Sequence, residues 1–495
     1  MEVALAYDHR TSLATLLGVT ALDFAANLRR RPVGFRGRVK DPLLLRQLLL
    51  ALHQSILSDA RGRDRDEWLR TLDPVITVHR DQMIFEAFSN DQSTYARLSA
   101  PLDAFESEGE VRYGTTNIDF SGDLRDALQS LRSSRRTLFS VGATGFGMTT
   151  AVGASPVDHF ERKVDVPESW VKSFLQVQSA LAMRPFVFDV RPVDLLTLIA
   201  FFQDNKPPSP PHGLRYELRP EAPIAAVLEP WEQRITFRGT RYTGYERTVR
   251  LWGRRRLELL QGVLPYADRV SVGVLGRGLP HVYVCHCGPY QFTFVLSGWT
   301  KSDWSKDAAF DLLAPRTALD PQQVERVHSY LGEHLMAPLK EIAADTGMPA
   351  NEVEQALFSL CRAGRVMVDP TIGQYRLREL FAEPLDLDAL FAPDPRLAEA
   401  QQFVEAGRVT LRSVSAPGPD ASWRRETRVE AAVTEGGATY EVSVRVDDTG
   451  RVRFGRCQCP FFERNLMSRG PCAHIMAARL ALDAATATPA GAPTR

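Results

Sequence analysis

The chain has 495 residues, and its 60 lysines plus arginines balance its 60 aspartates plus glutamates. That length exceeds one compact core, and at roughly 100–200 residues per domain about three domains are expected. Zero formal net charge excludes a uniformly basic binder of nucleic acid or membrane surface, so any such contact must come from a local patch. Six cysteines are too few for a disulfide scaffold. They predict a reduced, cytoplasmic chain in which clustered thiols mean metal.

The first residues, MEVALAYDHRTSLATLLGV, lack a basic start followed by an apolar core, so no signal peptide is expected. The run DPLLLRQLLLALHQSIL, residues 41–57, is interrupted by Arg46, Gln47 and His53 and falls short of a membrane span. It reads as an amphipathic helix, with Asp41 as its cap and Pro42 in its first turn.

The expected fold class is α+β and multidomain, opening on a large mixed α/β region. Strand patterns occur at 74–79 (PVITVH), 83–88 (MIFEAF), 137–142 (TLFSVG) and 270–275 (VSVGVL). Helical patterns lie between them, at 124–132 and 168–183. Two stretches, 118–145 and 249–278, share the order strand, glycine, helix, strand, glycine turn. They read either as a duplicated unit or as ordinary β–α–β grammar. The proline run KPPSPPHG, 206–213, cannot sit inside a helix or central strand. It sets a boundary between an α/β region at 1–205 and a second α/β part at 214–312, which can still pack as one unit.

Residues 318–378 read as a helix, then a helix–turn–helix around Gly347-Met348-Pro349, then two short strands: a winged helix. Its expected core is Leu339, Ile342, Ala343, Val353, Ala356, Leu357 and Leu360. The second helix would be the one to enter a DNA groove. It begins with Glu352 and Glu354, which repel phosphate, although Asn351, Gln355 and Arg362 can contact DNA. A protein-interaction or spacer role is therefore preferred.

A linker at 382–395 leads to a module at 398–482. Four strand patterns, at 407–414, 428–433, 440–446 and 451–457, precede a closing helix at 473–484, with a turn at Asp447-Asp448-Thr449-Gly450. The tail at 483–495 has too few large apolar residues to pack and reads as disordered.

The chemistry concentrates in CQCPFFERNLMSRGPCAH. Cys457 and Cys459 stand two apart at a strand end, so both sulfurs face one side. Pro460 stops the strand. Gly470-Pro471 turns the chain before Cys472, and His474 opens the last helix. Three thiolates and one imidazole fill a tetrahedral site with no place for water, which is the structural kind of zinc site. One Zn2+ would then tie hairpin to helix.

The pattern Cys-x-Cys, a spacer, then Cys-x-His, between a β-hairpin and a helix, resembles the SWIM zinc finger family. By that resemblance Cys457, Cys459, Cys472 and His474 are the ligands, and the module binds protein or nucleic acid. The rest of the chain is similar to bacterial proteins with a C-terminal SWIM module. Some of these are encoded beside a MoxR-type AAA+ ATPase and a von Willebrand factor A protein, which makes such proteins the expected partners. Between 451 and 480 six arginines face one acid, Glu463, so phosphate contact is the alternative. Within the spacer and its approach, Arg456, Phe461, Phe462, Arg464 and Arg469 are the expected partner-binding residues.

Other signals read as structural. GATGFGMT, 142–149, has Met148 where a phosphate-binding loop needs lysine, and its context is a hairpin. HVYVCHCG, 281–288, offers Cys285 and Cys287 without a second ligand pair. Arg184, Asp189, Arg191 and Asp194 suit an ion-pair network, and His79-Arg80-Asp81 with Glu86 a turn. No catalytic residue and no organic cofactor is expected, so the chain reads as a non-enzymatic adaptor. A nucleic-acid regulator, or an enzyme with its site in 1–310, are the alternatives.

Overall fold

The structure is a computed structural model. It describes residues 13–16, 19–22, 33–57, 74–117, 122–129, 131–133, 137–142, 145–150, 168–206, 212–276, 279–298, 304, 309–313, 319–369, 372–380, 387–390, 394–415, 426–447 and 450–487.

A hairpin of β1 (Leu13–Leu16) and β2 (Val19–Leu22) comes first. A first half follows: β3 (Phe35–Val39), α1 (Pro42–Leu57), β4 (Val75–Val78), β5 (Gln82–Phe88), β6 (Thr94–Pro101), β7 (Phe105–Ser107), β8 (Gly114–Asn117), α2 (Gly122–Gln129), β9 (Thr137–Gly142) and β10 (Gly145–Thr150). Asp41 caps α1 as its spacing predicts, accepting the Leu44 N–H at 3.0 Å. After α3 (Glu168–Leu181) a second half repeats the plan: β11 (Phe186–Val190), α4 (Pro192–Asp204), β12 (Leu214–Leu218), β13 (Pro223–Leu228), β14 (Gln233–Arg241), β15 (Arg247–Leu251), a 3-10 stretch Arg254–Gly262, β16 (Arg269–Val274), β17 (His281–Cys287) and β18 (Tyr290–Leu296).

The repetition is visible in the strand order. β8-β4-β5-β6 matches β15-β12-β13-β14, and β10-β9-β3 matches β17-β16-β11. The two self-similar stretches of sequence occupy corresponding places in the halves, although the second folds as 3-10 rather than α-helix. β18 of the second half pairs antiparallel with β6 of the first, which joins them in one eight-stranded sheet. The proline run lies between α4 and β12, inside the second half, with residues 207–211 outside the described residues. The division at 205 and 214 is thus corrected: the halves meet at α3, because β11 and β12 belong to one repeat.

That sheet separates two cores. Along β17, Tyr283, Cys285 and Cys287 face one core together with α1 and α4. Val282 and Val284 face the other, with α3. Alternate residues buried on both sides explain the nearly unbroken apolar run, as expected for a strand covered on both faces. No helix among the described residues is long and apolar enough to cross a membrane.

Next come α5 (Pro321–His334), β19 (Met336–Pro338), α6 (Leu339–Thr346), α7 (Ala350–Arg362), β20 (Val366–Asp369) and β21 (Gln374–Leu377), with strand order β19-β21-β20. Of the expected core set only Ala343 is half-exposed; the others are buried. A short α8 (Leu387–Leu390) lies in the stretch read as linker. α9 (Pro395–Glu405) follows, capped by Asp394, and then β22 (Val409–Ser415), β23 (Glu426–Glu435), β24 (Ala438–Asp447), β25 (Val452–Cys457), α10 (Pro460–Asn465) and α11 (Ala473–Ala487). β22-β23-β24-β25 form an antiparallel sheet with α11 against it. The helix α11 runs through 483–487, which corrects the start of the expected tail; residues 488–495 and the turn residues 448–449 lie outside the described residues.

These parts are knit together by buried polar contacts. Arg378 and Glu86 form an ion pair at 3.1 Å, with side-chain exposures of 1% and 0%. Tyr95 donates to the same carboxylate at 2.6 Å. Arg376 grips Asp81 with both terminal nitrogens, and His79 Nε2 lies 2.9 Å from the Leu377 carbonyl oxygen. The HRD stretch and Glu86 are therefore a docking point for β21 as well as a turn. Arg451, fully buried, donates to the Ala182 carbonyl at 2.8 Å and to the Glu354 carboxylate at 3.2 Å. Its guanidinium lies 4.7 Å from the centre of the Phe358 ring.

Candidate metal centre

Cys457 ends β25, paired opposite Val442 of β24. Cys459 has an extended backbone and is the N-cap of α10, with Pro460 in the first helical position. Two backbone amides point at sulfur: Cys459 N–H donates to the Cys457 Sγ and Phe462 N–H to the Cys459 Sγ, each at 3.4 Å. Such bonds favour thiolates, the form that binds metal. The return path turns at Gly470, whose φ of +78° suits glycine and whose missing Cβ leaves room for the Ala309 carbonyl. Cys472 precedes α11, and His474 lies in its first turn.

The four ligand atoms lie within 4.8 Å of one another, and all four residues are buried. A tetrahedron with Zn–S bonds of about 2.3 Å sets its sulfurs roughly 3.8 Å apart, so the cluster is sized for one ion. Neither ring nitrogen of His474 makes a well-formed hydrogen bond, although Nε2 is 3.2 Å from a Glu435 carboxylate oxygen. A buried imidazole in that condition, beside three thiols, fits a metal ligand. Zinc there acts structurally, filling all four positions with protein atoms.

Without the ion, the four ligands share protons among themselves. Hydrogen bonds with Cys457 and Cys472 hold the Cys459 thiol far below its ordinary value, while the same sharing holds Cys472 far above its own. The cluster thus already concentrates negative charge. Burial lowers the His474 pKa, but the neighbouring Cys457 and Cys459 sulfurs outweigh it and push the value up to about 10. A ring clamp orients this histidine: Phe403 of α9 stacks on it at 5.3 Å and Tyr440 of β24 tilts against it at 4.7 Å. Neither ring was among the expected site residues. The helix α9 carries a readable start signal in Asp394-Pro395, an N-cap followed by proline.

The expected partner-binding residues divide. Arg456, Arg464 and Arg469 are exposed. Phe462 is only 8% exposed and belongs to the core. Phe461 is half-buried under Arg396, whose guanidinium lies 4.9 Å from the ring centre. Arg396 also donates to the carbonyls of Arg469 at 2.8 Å and Pro471 at 3.0 Å, so it fixes the spacer. Arg451 and Arg479 are buried, and Arg453 pairs with Asp447 at 2.6 Å. The patch counted from sequence as six arginines therefore reaches solvent through three.

The other signals fall as follows. Gly142 pairs with Gly145 between β9 and β10, so GATGFGMT joins two strands, with Ala143 and Thr144 outside the described residues. Cys285 and Cys287 are core thiols whose pKa burial raises, to about 12 for Cys287. Arg191 pairs with Asp194, but Asp189 pairs with Arg269 at 3.2 Å and accepts from Ser271 at 2.6 Å. His286 Nε2 lies 3.1 Å from the same serine oxygen. The aspartate binds the serine instead of orienting the histidine, and Ser271 is buried, so these three do not form an activated nucleophile.

Residues 440–483 match the profile of the SWIM zinc finger family, and all four ligands fall within the match. The chain thus carries a SWIM zinc finger with a Cys3His site for one structural zinc. None of the curated proteins matches the chain. Among solved structures, proliferating cellular nuclear antigen from Entamoeba histolytica is similar at 11% identity and a TM-score of 0.36, over 53% of this chain and 98% of that one. The PCNA2-PCNA3 complex from Sulfolobus tokodaii is similar at 11% identity and a TM-score of 0.35, over the same shares.

Proposed function

We propose that the protein is a non-enzymatic adaptor that binds protein partners, with residues 318–378 acting as a winged-helix clasp rather than a DNA reader. The observation that carries this reading is Arg451. It spends its charge on Glu354 and packs on Phe358, both in α7, the helix that would have to enter a groove. That side of α7 packs against α3, and Arg453 also turns inward toward Glu354. What remains outside is the zinc-held spacer with Arg456, Arg464 and Arg469. The partner class implied by the SWIM resemblance is a MoxR-type AAA+ ATPase or a von Willebrand factor A protein.

The test is an affinity pull-down of the full chain with and without nuclease. Partners that survive nuclease and are lost with Arg464→Glu plus Arg469→Glu support the adaptor. The three exposed arginines favour nucleic acid as the second reading. A salt-sensitive gel shift lost on Arg456→Ala plus Arg469→Ala would establish that reading in place of the first.

A further inference from the structure

β11 is an outer strand of the eight-stranded sheet, paired with β16 on one side only. Among the described residues, no backbone hydrogen bond outside the β16 ladder reaches Phe186–Val190. A cleft of about 670 Å³ runs along this strand. Its walls are the β14–β15 connection with Tyr245, and the end of β20 with Ile372 beyond it. Val187, Tyr245 and Ile372 line it and are 37%, 58% and 60% exposed, although most large apolar side chains of the chain are buried. Arg241 and Arg247 also line it, and among the described residues neither has a carboxylate partner: Arg241 donates to the Glu221 carbonyl and Arg247 lies over the Phe186 ring.

An unpaired strand edge in a concave apolar wall is the setting in which extended peptides add as a further strand. We propose that the β11 edge takes an extended segment of a partner protein, with aliphatic side chains against Val187, Tyr245 and Ile372 and carboxylates toward Arg241 and Arg247. Strand addition recognises the main chain, and the alternate side chains supply selectivity. A nucleic-acid strand suits the cleft less, because Asp189 and Asp369 stand on it and repel phosphate. The proposal rests on the adaptor reading for the existence of a protein partner, but its site is separate from the zinc finger.

The probe is a phage-displayed library of random twelve-residue peptides, screened against the zinc-loaded full chain. The expected result is a set of peptides in which aliphatic residues alternate and Asp or Glu recur. Binding of the best synthetic peptide should weaken at least tenfold with Val187→Asp, and again with Arg241→Glu plus Arg247→Glu. N-methylation of alternate peptide amides should weaken it in one of the two registers. Zinc content and thermal midpoint should stay unchanged in both variants. The proposal is overturned if no common pattern is recovered, if binding ignores these substitutions, if single-stranded DNA displaces the peptide from this edge, or if Val187→Asp abolishes self-association instead, which would make the occupant a second copy. A nuclease-resistant partner that Val187→Asp still captures sinks the cleft alone; only nuclease-sensitive partners sink the adaptor reading.

Discussion

Glu86 and Arg378 stand 292 positions apart in the chain and 3.1 Å apart in space, both essentially without solvent. Desolvating the two ions offsets much of their attraction, but removing one alone leaves the other buried and uncompensated. Arg378→Met is expected to cost about 3–5 kcal/mol. Arg378→Met with Glu86→Leu should recover most of that loss. Denaturant titration of the three proteins checks the order, and a double variant no better than the single one contradicts it.

Arg451 makes a second prediction of another kind. Its guanidinium holds the β24–β25 hairpin to α3 and α7 through Ala182 and Glu354. Arg451→Met should free the zinc finger from α7 while leaving the finger folded. Limited proteolysis should then cut between 381 and 393 faster than in the parent, at equal zinc content. Loss of zinc together with the faster cut would mean that Arg451 is needed for the metal site itself.

Zinc removal is a third case. Metal binding requires three thiolates and a neutral imidazole, so protons compete with the ion and affinity falls as pH falls. Purified protein should hold one zinc per chain, by the one Cys3His cluster among the described residues. Cys457→Ser plus Cys472→Ser should abolish it. Chelation should melt the sheet β22–β25, and adding zinc back to the metal-free protein should release protons, measurable in weakly buffered solution.

How far the sequence led differs by element. The ligands were legible because metal chemistry fixes residue type and short spacing together, and Cys-x-Cys with Cys-x-His keeps all four within one stretch. The strands of the zinc module, and β4, β5, β9 and β16 before it, were legible from alternation. What stayed hidden were the long-range uses of charge. His79-Arg80-Asp81 reads as a turn because Arg376 lies 295 residues away from Asp81. Glu354 reads as an acid facing phosphate, yet it turns inward to Arg451. Counting arginines overstates a patch when burial of a guanidinium depends on a distant partner.

Acid stability supplies a fourth prediction. Burial pushes the pKa of His281 down to about 3, and burial with help from the Arg125 charge pushes that of His53 down to about 4. In the unfolded chain both return to about 6.5. Between those values the unfolded state binds protons that the folded state refuses, so stability falls as pH falls below about 6.5, by up to about 1.4 kcal/mol per unit for each histidine. The loss from His53 stops near pH 4 and that from His281 near pH 3. His281→Leu should flatten the slope of unfolding free energy against pH between 4 and 6.5. An unchanged slope would show that His281 is solvated in the folded chain.

Buried contacts form a continuous line across the molecule: Arg451, just before β25, holds α7, α7 packs in the same apolar core as β20 and β21, and Arg378 just past β21 enters the sheet at Glu86. A zinc finger on a loose tether could be tugged without consequence. This one is a handle. A load applied at the spacer between Cys459 and Cys472 would pass through these contacts to Glu86 in the eight-stranded sheet, near the seam where β18 meets β6. Along such a line, a pull on the C-terminal module would arrive at the junction of the two halves.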